Sequence, residues 1–167
     1  SRKMTAIARK AEILPPKPIL DSVGEWYARC ALFELESLRQ GLRQVDPSVR
    51  EDLITVLSSV LVKVSWRQSD TSSKRQVHDR KPGTTAVLFH KKARELARRQ
   101  TELREAVPPG TPSARINKAD ARTFRVSAPV DLIVTSPPYP GVYDYLPLQH
   151  LRAIWLGENL DSGREIG

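Results

Sequence analysis

Hydrophobic residues recur at steps of three and four along four stretches of the chain, which is the spacing of an amphipathic helix. The predicted helices cover residues 23–42, 47–64, 86–107 and 146–157. The positions expected to face a core are Val23, Tyr27, Cys30, Ala31, Leu35, Leu38 and Leu42, then Val49, Leu53, Val56, Leu57, Val60 and Val64, then Phe89, Ala93, Leu96 and Leu103, and finally Leu148, Leu151, Ile154 and Trp155. The part of the chain before about residue 107 is therefore predicted to be mainly helical.

Local signals mark the ends of two of these helices. Asp46 can cap the second helix, and Pro47 suits its first helical position. The fourth helix is expected to begin near Pro147 and to stop at Gly157. Residues 1–12 are expected to be the end of a further helix, broken into an extended connector by Pro15, Pro16 and Pro18.

Residues 65–85 have neither helical nor strand periodicity, so we expect a polar, basic loop there. Trp66 stands at its start and has two interpretations. It anchors the loop on the core, or it is a stacking or wedge residue beside DNA. The anchor is favoured, because large aromatic side chains are usually buried.

The composition changes after residues 108–113, which resemble a linker. A short strand is expected near residues 115–118. Residues 130–135 form a second candidate strand, which is apolar on both faces, as in the centre of a parallel sheet. We therefore expect an α/β unit to follow the helical region.

The net charge of +8 is concentrated in one region of the sequence. Residues 63–99 hold eleven Lys or Arg against three acidic residues, which accounts for the whole excess. Such a surface attracts phosphate backbones, although the same pattern is also typical of a solvated helix face next to a basic loop. The single Cys30 rules out an intrachain disulfide. No apolar run approaches a membrane span and no secretory signal is present, so we expect a cytoplasmic protein.

The strand candidate 130–135 ends in a rigid polar corner, Ser136-Pro137-Pro138-Tyr139. Two prolines fix the backbone and leave carbonyl groups free to accept hydrogen bonds. The Ser136 hydroxyl and the Pro137 carbonyl could hold the exocyclic amine of a base, Pro138 would keep the corner rigid, and Tyr139 could stack on a base that has left its duplex. The amine itself would be the nucleophile, so the corner suits methyl transfer without a covalent intermediate.

The segment "TSPPY" after an apolar strand resembles the catalytic motif of S-adenosylmethionine-dependent amino-methyltransferases. Its Ser is closer to the cytosine-N4 class of DNA methyltransferases than to the adenine-N6 class. The resemblance implies S-adenosylmethionine as cofactor, contacted at Asp120 and Ala121. For Asp120 the cofactor contact is favoured, and a turn or helix-cap residue is the alternative. Tyr143 and Tyr145 would line the base pocket or belong to the core.

The resemblance also implies double-stranded DNA with a flipped base as substrate, and it makes a restriction endonuclease a candidate partner. The phosphate contacts expected in the basic region are Arg67, Lys74, Arg75, Arg80 and Lys81. No metal is expected, because His78 and His90 lack ligand spacing. An adenine-N6 DNA enzyme, a guanine-N2 RNA enzyme, and a DNA-binding protein with an inactive catalytic half remain alternatives.

One part of the family pattern is missing, because no Gly-x-Gly turn for the cofactor occurs in this chain. We therefore expect an internal part of a longer enzyme, which could be inactive by itself. The expected fold is α/β, with part of a Rossmann-like methyltransferase sheet at residues 113–167. The expected divisions are a helix end and proline connector at 1–18, a helical, basic insertion that contacts DNA at 19–107, and a partial catalytic domain at 108–167.

Overall fold

The computed structural model describes residues 2–8, 10, 12–69, 72–117, 119–120, 123–126, 128–136 and 145–158. Within these residues the chain forms six α-helices, one 3₁₀ turn and one two-stranded sheet. The helices are α1 (Arg2–Ala8), α2 (Lys17–Val23), α3 (Arg29–Leu42), α4 (Pro47–Val64), α5 (Thr84–Ala106) and α6 (Tyr145–Leu156). The 3₁₀ turn is Gly24–Trp26, and the strands are β1 (Arg67–Ser69) and β2 (Ser72–Arg75).

The predicted end signals of two helices are confirmed. Asp46 precedes α4, and its carboxylate accepts a hydrogen bond from the backbone N–H of Ser48 at 2.8 Å, while Pro47 occupies the first turn. This side-chain acceptor satisfies one of the backbone donors that a helix start leaves without a partner. Gly157 follows α6 with φ 72°, a left-handed conformation that suits glycine and ends the helix.

A common core joins all six helices, and α1 contributes to it by packing on α3 and α5. α3, α4 and α5 pack against one another, and α6 packs on α4 and α2. Phe89 of α5 and Trp155 of α6 are fully buried, and the Trp155 ring meets Tyr27 edge-on with centroids 5.8 Å apart. Each side chain of this size contributes about 1.5–3 kcal/mol through burial. Most residues predicted to face inward from α3 and α4 are buried, whereas Val49 on α4 is 45% exposed and Leu103 on α5 is 63% exposed. The helix predicted from residue 23 is wrong at its start, because α2 ends at Val23 and α3 begins only at Arg29.

The predicted Rossmann-like α/β fold is wrong for this structure. The described part of residues 113–136 contains no strand, and the sheet that exists is the antiparallel pair of β1 and β2. Leu132, Ile133 and Val134 are between 75% and 86% exposed. An apolar run becomes a strand only when a neighbouring strand accepts and donates its backbone hydrogen bonds, and no other described segment does so here.

Two smaller expectations are also corrected. Residues 65–85 are not an unstructured loop, because β1 and β2 lie within them, with Arg67 opposite Arg75 and Ser69 opposite Ser72. Pro18 does not break a helix but lies in the first turn of α2, where its missing N–H costs nothing. The extended connector is therefore shorter than expected and ends before Lys17.

Candidate nucleic-acid interface

Trp66 fixes the hairpin of β1 and β2 to the helical body. Its backbone N–H donates to the carbonyl of Trp26 at 2.8 Å, and its own carbonyl accepts from the N–H of Gln76 at 2.6 Å. Its indole N–H donates to the carbonyl of His78 at 3.0 Å. The ring is half-buried. These contacts favour the interpretation of Trp66 as an anchor over that of a wedge beside DNA.

Two of the five predicted phosphate contacts point into the protein. Arg67 is buried, and its Nη2 donates to the carbonyl of Pro147 at 2.8 Å. Arg80 donates from Nη2 to the carbonyls of Lys63 and Ser65, at 2.5 and 3.1 Å, at the carboxyl end of α4. Burial lowers the pKa of the Arg80 guanidinium from its usual value. Both guanidinium groups therefore hold the hairpin in place.

The other three predicted contacts, Lys74, Arg75 and Lys81, are exposed. The Arg75 guanidinium carbon lies 4.8 Å from the centroid of the Trp66 ring. This cation–π contact orients the guanidinium. A guanidinium held in one orientation can donate two parallel hydrogen bonds to a phosphate. We call Lys74, Arg75 and Lys81 the hairpin cations.

Helix α5 adds two cations that the predicted contacts omitted. Lys91 and Arg94 are exposed, and neither has a carboxylate within 4.0 Å in the part of the chain that the structure describes. The neighbouring acid Glu95 pairs instead with Lys92 at 2.7 Å and with Arg99 at 2.8 Å. The hydrogen bond from Lys92 and the charges of both partners lower the pKa of Glu95, so its charge is already compensated.

A buried carboxylate positions the start of α5. Glu34 on α3 is 3% exposed and accepts hydrogen bonds from the N–H groups of Gly83 and Ala86, each at 2.7 Å. Gly83 precedes the helix with φ 88° and has no side chain that could cap it, so Glu34 caps α5 from another helix. This role of Glu34 was not predicted from the sequence. The available signal was an acidic residue within the apolar stripe of α3.

Of the predicted catalytic, cofactor and base-pocket residues, the structure describes Asp120, Ser136 and Tyr145. Ser136 and Asp120 are exposed and lie outside regular elements. The Asp120 carbonyl accepts from the N–H groups of Thr123 and Phe124, at 3.1 and 2.8 Å, as in a turn. Tyr145 is the first residue of α6. The predictions for Pro137, Pro138, Tyr139, Ala121 and Tyr143 fall outside the described residues.

Asp120 and Ser136 do not form an enclosed site for S-adenosylmethionine with the other described residues. A small-molecule site encloses most of its ligand between apolar walls and a few polar groups. Asp120 and Ser136 are both open to solvent, and Val130 and Leu132, which lie between them in the sequence, are more than half exposed. Over residues 2–158, with the gaps given above, no three His, Cys, Asp or Glu side chains come together as metal ligands.

No family model, curated protein or solved structure matches this chain. None of the helices in its described part combines the length and the apolar character needed to cross a membrane.

Proposed function

We propose that this protein is a cytoplasmic S-adenosylmethionine-dependent methyltransferase that acts on the exocyclic amine of a DNA base, with cytosine N4 as the target. The observation that carries the proposal is the sequence Ser136-Pro137-Pro138-Tyr139 directly after an apolar run. It combines a hydroxyl, free backbone acceptors and an aromatic ring, which are the groups needed to hold an amine and its base. The side chain of Ser136 is exposed and is therefore accessible to a substrate.

The surface charge supports DNA as the substrate. Lys74, Arg75 and Lys81 are exposed, and Arg75 is already oriented by Trp66. Exposed Lys and Arg bind phosphates without reading sequence and keep the protein on the duplex. The hairpin cations would therefore supply affinity, while the Ser-Pro-Pro-Tyr corner would hold the target base.

The test is a chromosomal Ser136→Ala substitution in the native host, followed by mass analysis of nucleosides from its DNA and RNA. We expect N4-methylcytosine in wild-type DNA and its loss in the variant. The hydroxyl is exposed, so the unfolding midpoint of the purified chain should not change. N6-methyladenine or RNA N2-methylguanine that depends on Ser136 would point to the other two enzyme classes, and methylation that is unaffected by the substitution would refute the assignment.

A second candidate function is DNA binding without catalysis. The observation that favours it is the open setting of Asp120 and Ser136, where the described residues form no enclosure for a cofactor. Under this alternative the purified protein binds duplex DNA, while methylated bases in the host do not depend on Ser136. The nucleoside analysis and a DNA-binding assay together distinguish the two functions.

A further inference from the structure

A shallow groove runs along one side of α5. It consists of two adjoining depressions of about 630 and 530 Å³, and Val87 and Lys91 line both of them. The first begins at Pro82, directly after the hairpin cation Lys81, and the second ends at Arg98. With a helical rise of about 1.5 Å per residue, the stretch from the start of α5 to Arg98 is about 21 Å long. We call this surface the α5 groove.

The α5 groove carries positive charge that the protein itself does not neutralise. Lys91 lies at its centre and Arg94 lines its second half, and both lack an acidic partner among the described residues. Glu95 also lines the groove, but its charge is shared between Lys92 and Arg99. Exposed cations that have no internal partner are available to an external anion.

We propose that the α5 groove binds the phosphate backbone of double-stranded DNA through Lys91 and Arg94, as a second contact beside the hairpin cations. This inference rests on the proposed function and extends it to residues outside the predicted contacts. One strand of a duplex carries a phosphate about every 3.4 Å along the axis, so about six phosphates span the groove.

The lining of the groove favours a duplex over a single strand. Proteins that hold single strands place aromatic rings along the path so that bases can stack on them. The residues that line the α5 groove include no Phe, Tyr or Trp. Its floor is formed in part by Val87, which is 46% exposed and cannot pair with a base edge. Contact with the backbone therefore fits this surface better than base stacking.

The test compares the double variant Lys91→Gln/Arg94→Gln with the wild-type protein. Gln keeps a helix propensity close to that of Lys and Arg, so α5 should remain folded. Affinity for a labelled DNA duplex is measured over a series of salt concentrations. Each lost phosphate contact lowers the slope of log affinity against log salt by about 0.9, so we expect a slope shallower by about 1.8 and binding about 60-fold weaker at about 0.1 M salt.

A matched control removes the same charge elsewhere. Arg43→Gln/Arg104→Gln changes two exposed residues that do not line the groove and, like Lys91 and Arg94, have no carboxylate within 4.0 Å among the described residues. We expect this control to keep a slope close to that of the wild type. An unchanged slope in the Lys91/Arg94 variant, or an equal loss in the control, would overturn the inference. A duplex RNA that binds more tightly than the DNA duplex and shows the same loss would overturn DNA as the ligand.

The outcome can be separated from that of the proposed function. If the salt slope of the Lys91/Arg94 variant is unchanged while N4-methylcytosine depends on Ser136, DNA binding by the α5 groove is refuted and the methyltransferase proposal stands. If the salt slope of the Lys91/Arg94 variant falls as expected while no methylated base depends on Ser136, DNA binding by the α5 groove is supported and the methyltransferase proposal is refuted.

Discussion

Replacing Glu34 with Gln should destabilise the protein more than its small chemical change suggests. The Glu34 carboxylate accepts two hydrogen bonds at 2.7 Å, from the N–H groups of Gly83 and Ala86, in a buried position. Gln offers one acceptor oxygen in place of two, and its NH₂ group would face a backbone donor. One N–H therefore loses its partner, and the other loses a charged acceptor.

The expected loss follows from these two hydrogen bonds. A hydrogen bond to a charged group contributes about 1.5–3 kcal/mol, and a buried donor without a partner costs about 1–3 kcal/mol. The two effects overlap, so we expect Glu34→Gln to lower the free energy of unfolding by about 2–4 kcal/mol. Because a domain of this kind is stable by only about 5–15 kcal/mol, the change is a large fraction of the total.

Urea unfolding measures this loss, and hydrogen exchange locates it. The unfolding midpoint should fall while the slope with urea stays constant, because the same surface is exposed on unfolding. In Glu34→Gln, the increase in exchange rate over the wild type should be larger for the amides at the start of α5 than for those of α4. The control is Glu102→Gln, which removes an exposed α5 carboxylate paired with Arg98 and should cost less than about 1 kcal/mol. A loss below about 0.5 kcal/mol for Glu34→Gln would refute the capping role.

Two further predictions concern groups with shifted pKa values. Burial, and to a smaller extent the charge of Glu34, raise the pKa of Cys30. Alkylation of Cys30 should therefore need a higher pH in the folded protein than in urea, and Glu34→Gln should reduce this difference in pH. Identical pH profiles of alkylation for the folded and the unfolded protein would contradict this prediction. Hydrogen bonds from Ser48 lower the pKa of Asp46, so its stabilising effect should be complete above the pKa of an unfolded Asp and lost as the pH falls through the folded-state value. Urea midpoints of wild type and Asp46→Ala should therefore differ near neutral pH and converge in acid, and a constant difference would argue against the cap.

Two helix boundaries were predictable because their causes are local, whereas the break between Val23 and Arg29 was not predicted. The start of α4 depends on Asp46 and Pro47, and the end of α6 depends on Gly157, all of which can be recognised from neighbouring residues. The hairpin was missed because β1 and β2 consist of Ser, Gln, Lys and Arg, which have no strand pattern. It is held by contacts that Trp66 and Arg80 make with residues more than ten positions away.

The failure at residues 130–135 has a different cause. Leu132, Ile133 and Val134 have the side chains of a central strand, but a strand also needs a partner for its backbone. The sequence pattern describes what the segment would bury and not whether another segment is present to cover it. In the structure these three side chains face solvent.

The candidate interface shows the same limit at the level of single residues. Arg67 and Arg80 stand in the same basic stretch as Lys74 and Arg75, and composition gives no reason to separate them. Only the three-dimensional arrangement shows that the first two donate to backbone carbonyls and the others face outward. The density of Lys and Arg in the sequence therefore identified the basic region, but it did not identify which of its residues are exposed.

The short connection between the hairpin and α5 has a consequence for multivalent binding. The carbonyl of Arg80 accepts a hydrogen bond from the Cys30 thiol, and three residues later Glu34 holds Gly83, so both ends of this connection are attached to α3. The distance between the hairpin cations and the α5 groove is thereby set by folding. A polyanion bound by the hairpin cations is therefore at a high effective concentration for the cations of the α5 groove. No flexible linker between the two surfaces has to become ordered when the polyanion binds.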